Sequence, residues 1–543
     1  MKIKDLILIY CFATIISLVA AETSLEGMKV VGNEIHNKNG ELVRLRGVNR
    51  EGTEYSCVQY QKIFNGPFDK DNTNVMKDWG INAIRLPLNE DCWLGLHDKE
   101  SKYFGSAYRK AIIDYVNTVT DMNMAVLLDL HWAGGNGGTI LATRQIPMPN
   151  KVNSAAFWKS VAMAFKDNSR VLFDLYNEPY PYGNTWDNVN AWKCWRDGDT
   201  CGPEINYPVA GMQDLVNAVR SAGSKNIILL AGIQYATSLT HFLEYIPSDP
   251  EGQLGASVHS YDFNFCRAQG CWDTYLRPVF SKYPVVATET GQKDCKSDFL
   301  TDFLHYADKN DLHYFAWSWI VANCSGPSLL TSYDGDATEY GEGYKKYLQT
   351  IDNGDTPWYS DTFYMFDDKM THWVDDWSSA LVLPNVTYPV YQNSEYSIQY
   401  TPTKDKLFYL RCWGCISTDV HKQVEMVFHG GQVGKQELTF NLVSLNSDNT
   451  AEIKENYPLS QFMDNKPIPA GSWYKAIIDL STLPKNVKYD GIQLVSSTNQ
   501  ADVYIGKITV RAYYEPPKPS SSTKNAPIIL LILISILSAV LLA

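Results

Sequence analysis

A chain of 543 residues with 60 acidic against 47 basic side chains carries a formal net charge of -13 and a pI near 5.3. Nucleic-acid binders present basic surfaces, so that class is set aside. Aromatic residues make up 13 %, with 34 Tyr and 15 Trp, more than a core requires, and such rings stack on flat, weakly polar ligands such as sugars.

Lys2 and Lys4 precede an apolar run over 6–21 that closes on Leu18-Val19-Ala20-Ala21. A charged start, an apolar middle and a small-residue exit make residues 1–21 a secretory signal peptide, and the run is short for a bilayer span. Of 11 cysteines, Cys11 falls in this leader. The remaining even number fits pairing in an oxidising compartment, with Cys194/Cys201 and Cys266/Cys271 close enough to staple single loops. Cys412-Trp413-Gly414-Cys415 has redox-motif spacing but no βαβ context, so it reads as a tight bridge or as free thiols.

The body, roughly 500 residues, is too long for one ordinary domain. Eight short β-rich apolar runs follow in order, at 43–49, 81–88, 125–131, 171–177, 227–232, 256–261, 284–290 and 314–320. Amphipathic helical segments lie between most of them, at 106–121, 154–165, 209–222 and 298–307. Continuous apolar strands separated by helices predict a parallel sheet, and eight such units predict an α/β fold, a closed (β/α)8 TIM barrel, over 22–355. After Asp355 helical periodicity gives way to short strand-like runs at 423–428, 473–479, 491–494 and 501–512, predicting an all-β sandwich over 356–515. Residues 516–526 form a Pro/Ser linker, and 527–543 an uncharged apolar tail with nothing basic beyond it. Small residues, a polar spacer and a terminal apolar tail predict a GPI signal, with Ser520, Ser521 and Ser522 as attachment candidates; a C-terminal transmembrane helix is the alternative. Asn323-Cys-Ser and Asn385-Val-Thr are N-glycosylation sequons.

In a parallel barrel the chemistry collects where strands run out at their C-terminal ends. Strand two ends in Ile84-Arg85-Leu86-Pro87, strand three in Asp129-Leu130-His131-Trp132, and strand four in Tyr176-Asn177-Glu178-Pro179. Strand six carries His259-Ser260-Tyr261, strand seven ends in Thr288-Glu289-Thr290-Gly291, and strand eight runs Ala316-Trp317-Ser318-Trp319. With the opening Arg44-Leu45-Arg46-Gly47-Val48-Asn49, these residues resemble the clan A glycoside hydrolases, specifically the family 5 cellulases, from about Leu25 to Gln349.

That resemblance implies a retaining glycosidase with Glu178 as acid/base and Glu289 as nucleophile. Retention needs two carboxyl groups about 5–5.5 Å apart, one to protonate the leaving oxygen and one to attack the anomeric carbon. Arg85 and Tyr261 are suitable donors to keep Glu289 ionised, and desolvation favours a protonated Glu178. Asn177 is expected on the sugar 2-OH, His131, Trp132 and His259 beside substrate or carboxylates, and Trp319 as the platform under the ring next to the scissile bond. Asp129 and Asp174 read as buried hydrogen-bonding supports, while Glu51 and Glu54 are either subsite or surface residues.

No H-E-x-x-H, G-x-S-x-G, P-loop or dinucleotide fingerprint occurs, and the glycine run 134–138 lacks the Lys-Ser/Thr of a phosphate cradle. The chemistry calls for no metal or cofactor. The resemblance makes an endo-β-1,4-glucanase the leading expectation, with a mannanase, a xyloglucanase, a β-1,3-glucanase or a non-catalytic polysaccharide adhesin as alternatives. The expected partners are β-glucan and, through the anchor, the outer face of the plasma membrane, with a monomeric body. The stretch 491–510 looks like the closing strands of jelly-roll carbohydrate-binding modules, so the sandwich either grips glucan through exposed rings or is purely structural.

Overall fold

The computed structural model describes residues 23–512 apart from 98–100, 184–185, 200, 323, 325, 353–361, 372–373 and 447–449. The expected signal peptide and linker, the apolar tail, Ser520, Ser521, Ser522 and Asn323 therefore lie outside the described residues, as does the expected domain junction at 355.

A short antiparallel hairpin, β1 (Lys29–Val31) and β2 (Glu34–His36), opens the described chain. Eight parallel strands then close a barrel: β3 (Arg46–Asn49), β4 (Ala83–Asn89), β5 (Ala125–Trp132), β6 (Val171–Asp174), β7 (Ile228–Ala231), β8 (Leu254–Tyr261), β9 (Val285–Gly291) and β10 (His313–Ala316). Each predicted strand has its counterpart, and β10 pairs with both β9 and β3, so the sheet has no edge. The helices Ser106–Asp121 and Ser154–Phe165 match the amphipathic segments read from the sequence. The first buries Tyr108, Ile112, Tyr115, Val116 and Val119, a stripe at helical spacing that packs on the barrel.

The barrel interior divides into a dry floor and a polar mouth. Leu25, Met28, Ile35 and Val43 from the hairpin region plug the floor against Ala83, Leu127, Leu229 and Phe315. Gly47 lies in β3 at this level because a Cβ there would overlap the Phe315 ring and crowd the Ala83 carbonyl. Apolar side chains thus fill the N-terminal end of the strands, and the charged residues of the motifs are left for the C-terminal end.

Beyond the barrel, two antiparallel sheets of seven and five strands enclose a separate core that includes Phe408, Val424, Phe440, Ile478 and Ile492. The predicted run 473–479 is the strand Trp473–Asp479, and 423–428 lies inside His421–His429. Asn385 is exposed on the strand Leu381–Val386. Among the described residues five disulfides form: Cys57–Cys92, Cys194–Cys201, Cys266–Cys271, Cys295–Cys324 and Cys412–Cys415. Both short-loop pairings expected from spacing are present, and Cys412 and Cys415 form the tight bridge.

Gly47→Ala tests the packing of the floor. Overpacking a filled core costs about 1–3 kcal/mol, so the variant is expected to unfold at lower denaturant; an unchanged or raised midpoint would contradict the packing described.

Candidate active site

The mouth is built around Arg85, fully buried near the middle of β4. Its Nη1 donates to Glu289 Oε1 at 2.7 Å and Asn49 Oδ1 at 2.9 Å, and its Nη2 donates to Asn177 Oδ1 at 2.8 Å. Nη2 also lies 3.0 Å from Asp129 Oδ2, and Nε donates to Asp174 Oδ2 at 3.2 Å. The guanidinium thus donates four hydrogen bonds, to β3, β9 and the segments in and just beyond β6, and pairs by charge with Asp129 on β5. Burial pulls Arg85 down, but the carboxylates of Asp129, Asp174 and Glu289 outweigh it and raise its pKa. Burial pushes the Asp129 carboxyl up to about 7 against the pull of Arg85. Asp129 and Asp174 are both fully buried, as the sequence reading expected.

The strand register brings the remaining groups together. β8 and β9 pair with His259 opposite Glu289. Tyr261 Oη donates to Glu289 Oε2 at 2.6 Å, so both Glu289 carboxylate oxygens accept a hydrogen bond, one from Arg85 and one from Tyr261. His259 Nδ1 is 2.9 Å from Glu178 Oε1, and Nε2 is 3.1 Å from Thr288 Oγ1, which in turn meets Ser257 Oγ at 2.6 Å. One oxygen each of Glu178 and Glu289 and a His259 ring nitrogen all lie within 4.8 Å of one another. The same trio could converge on a cation, and His259 already bonds one of the two carboxylates.

Burial raises the Glu178 pKa above the ordinary value, against the opposing pull of Gln145, His131 and Arg85. Burial also lowers His259 to about 3 and His131 to about 4, so both rings stay neutral over ordinary working pH. A neutral His259 suits both states of Glu178. When Glu178 is protonated its O–H donates to Nδ1 and Nε2–H donates to Thr288. When it is ionised, Nδ1–H donates to Glu178 and the Thr288 hydroxyl donates to Nε2.

His131 ends β5 with Nδ1 2.6 Å from Asp129 Oδ2 and its ring stacked 5.8 Å from that of Trp317. Asn177 sits beside it, Nδ2 3.4 Å from His131 Nε2. Trp132 is half-buried at the end of the same strand, its ring 6.4 Å from that of Tyr55. Glu51 accepts from Ser318 Oγ at 2.9 Å, and Glu54 is buried and turned onto the Gly52 amide at 2.7 Å.

Trp319 is a correction. It is 0 % exposed, donates from Nε1 to Asn72 Oδ1 at 3.2 Å, and meets the Trp79 ring edge-on at 4.8 Å, so no sugar can reach its face. Trp317 lines the cleft instead. The β10 ladder ends at Ala316, and past that point strand parity no longer tells which ring faces the mouth.

A cleft of about 990 Å³ contains Glu178 and Glu289 and is also lined by Gln234, Tyr235, Phe263, Phe265 and Trp317. Gln234 and Tyr235 follow β7, the one strand whose end carried no familiar motif. Gln234, Tyr235 and Ala236 all have positive φ, at 53°, 56° and 58°, and Tyr235 stacks on Tyr180 at 4.5 Å. Three successive left-handed residues without glycine are uncommon, and such backbones cluster at functional sites.

The cellulase (glycosyl hydrolase family 5) profile matches residues 37–323. An endoglucanase of Clostridium saccharobutylicum is 26 % identical over 217 residues, covering 39 % of this chain and 38 % of that one. A manganese dependent endoglucanase of Phanerodontia chrysosporium is 28 % identical, covering 41 % and 54 %, and a cellulase of a Thermoanaerobacterium species is 25 % identical, covering 57 % and 74 %. The chain thus spans 38 % and 54 % of the length of the first two of these relatives. Among solved structures, a β-glucanase from Saccharophagus degradans with bound cellotetraose is 21 % identical, covering 60 % of this chain and 93 % of that one, with a TM-score of 0.46.

Burial separates the two tryptophans experimentally. Trp319→Ala is expected to cost about 3–5 kcal/mol in chemical denaturation, and Trp317→Ala, at the open mouth, far less. Equal losses would return Trp319 and Trp317 to equivalent positions.

Proposed function

Because the chain belongs to glycosyl hydrolase family 5, the cellulase family, we propose that it is a retaining endo-β-1,4-glucanase acting on β-glucan. The observation that carries this reading is the pair Glu178 and Glu289, with an oxygen of each within 4.8 Å, and a different environment for each carboxyl. That spacing suits direct attack, whereas an intervening water needs carboxyl groups about 6.5–9.5 Å apart.

In the first step the Glu178 carboxyl proton goes to the glycosidic oxygen while a Glu289 oxygen attacks the anomeric carbon. The C–O bond to the leaving sugar breaks, and a glycosyl ester forms on Glu289. Glu178, now a carboxylate, takes a proton from water, whose oxygen attacks the same carbon and releases Glu289. Arg85 and Tyr261 hold the nucleophile's two oxygens and accept the loss of charge when the ester forms. Asn177, fixed by Arg85, is placed to bond the 2-OH, and Trp317 takes the platform role beside the cut.

We place the enzyme outside the cell, carried there by the leader over 1–21 and tethered through the C-terminal tail by a GPI anchor. Five disulfides support an oxidising compartment. Release from cell surfaces by a phosphatidylinositol-specific phospholipase is the expected result; retention after treatment would favour a spanning helix.

The activity is tested on carboxymethylcellulose, lichenan, laminarin and mannan. Glu178→Gln and Glu289→Gln are each expected to lower kcat by about 100-fold or more, and the first product should keep the β configuration. Near-full activity in either variant, or an inverted product, would overturn the assignment. Protonated Glu178 is the active form, so activity falls as pH rises through its raised pKa, and the alkaline limb should lie above 4.5. With an aryl leaving group that needs no proton, Glu178→Ala should lose that limb; a limb that persists would assign it to another group.

A further inference from the structure

The C-terminal sandwich touches the wall of the catalytic cleft. Its strand Leu407–Ser417 contains a turn closed by the Cys412–Cys415 disulfide and pressed on the barrel helix Gln269–Tyr275; a Cβ at Gly414 would meet the Tyr275 ring. Trp413 stands at the tip of this turn with φ 52°, a conformation a bulky side chain rarely adopts. Its ring meets Phe265 edge-on at 5.3 Å, and Phe265 lines the cleft that holds Glu178 and Glu289. On the same wall Phe263 is 49 % exposed and stacks 4.9 Å from Tyr261, the residue bonded to the nucleophile.

Beyond Trp413 the line of rings continues onto the sandwich. Trp377 lies 6.3 Å from Trp413, nearly perpendicular to it, and is 46 % exposed. Arg411 fills the angle between them, its guanidinium carbon 4.0 Å from the Trp377 ring centre and 3.0 Å from that of Trp413. Arg411 is 1 % exposed, and its Nε and Nη2 have no hydrogen-bond partner, so the two ring faces supply its stabilisation. Trp413 Nε1 donates to Asp375 Oδ2 at 2.7 Å, and Asp375 also pairs with Arg267 of the barrel at 3.2 Å. One side of Trp377 is therefore backed by a buried cation, and the other is open to solvent. Such a ring is already immobilised and offers its free face without further ordering cost.

We propose that Trp413 and Trp377 extend the catalytic cleft into a distal subsite that stacks a sugar unit of the β-glucan chain, making the sandwich part of the substrate path. This rests on the glucanase reading above. Phe263, Phe265, Trp413 and Trp377 form an apolar wall that begins beside the nucleophile and ends on the second domain, and the C–H faces of a glucan suit successive rings.

The test compares kcat/KM on cellohexaose and on an aryl β-cellobioside, which is too short to leave the reaction centre. The full secreted chain is used, with Trp377→Leu and Trp377→Phe, both of which keep Arg411 covered. Trp377→Leu is expected to lower the hexaose-to-aryl ratio about tenfold, chiefly through KM, and Trp377→Phe to keep most of it. A ratio that stays at the wild-type value in Trp377→Leu, or equal losses with both variants, would overturn the subsite while leaving the glucanase reading intact. A loss confined to an alkyl β-glucoside would assign the wall to an apolar aglycone and also overturn it. If the wild type cleaves neither substrate, the glucanase reading fails and the subsite with it.

Discussion

A single fully buried guanidinium organises the barrel mouth. Arg85 reaches Glu289, Asn177, Asn49, Asp129 and Asp174 at once, so Glu289, the residue beside Glu178 and the inner carboxylates share one positive centre. A lone buried cation would be costly, and so would these carboxylates without it; each makes the other tolerable. The geometry follows from this mutual dependence. The planar fork of Arg85 fixes where its acceptors sit, and the acceptors come from strands whose order the closed barrel sets.

The two glutamates at the mouth sit in different surroundings. Glu289 receives two donors, Arg85 and Tyr261, and is held as an acceptor. Glu178 shares His259 instead, and burial raises its pKa. His259 is suited to a partner that alternates between acid and base because burial keeps it neutral and Thr288, with Ser257 behind it, can give or accept a proton at its other nitrogen. An imidazolium at this position would stabilise only the ionised state of Glu178 and would oppose its action as an acid.

Much of this was legible in the sequence because the functional residues stand on strands. The eight apolar runs and the resemblance carried by the residues at their ends singled out Glu178, Glu289, Arg85, His131, His259 and Tyr261, and all six meet at one mouth. The misreadings lie where strand geometry stops. Trp317 and Trp319 have the same parity, but β10 ends at Ala316, and it was the packing of Trp319 on Trp79 and Asn72 that turned it inward. Gln234 and Tyr235 carried no motif, and their run of left-handed residues has no marker in side-chain type. The pairings Cys57–Cys92 and Cys295–Cys324 join segments 35 and 29 residues apart, and spacing says nothing about which loops of a barrel face are neighbours.

The sequence reading placed a sandwich after the barrel and said nothing of how the two pack. Across the boundary, His421 of the sandwich faces Asp273 of the barrel at 3.9 Å, both buried, and Asp273 also accepts from Tyr306 and Arg277. Burial lowers His421 to about 4, so this contact brings no second full charge into the interface. Arg267 of the barrel and Asp375, which also holds the Trp413 turn, give the two domains a specific polar contact in addition to apolar packing. A binding ring on a flexible linker raises the local concentration of a chain near the active site, with a benefit set by linker length. A ring held on a fixed interface adds its contact to the same bound chain without that linker term, and the position of Trp413 against Phe265 puts this sandwich in the second case.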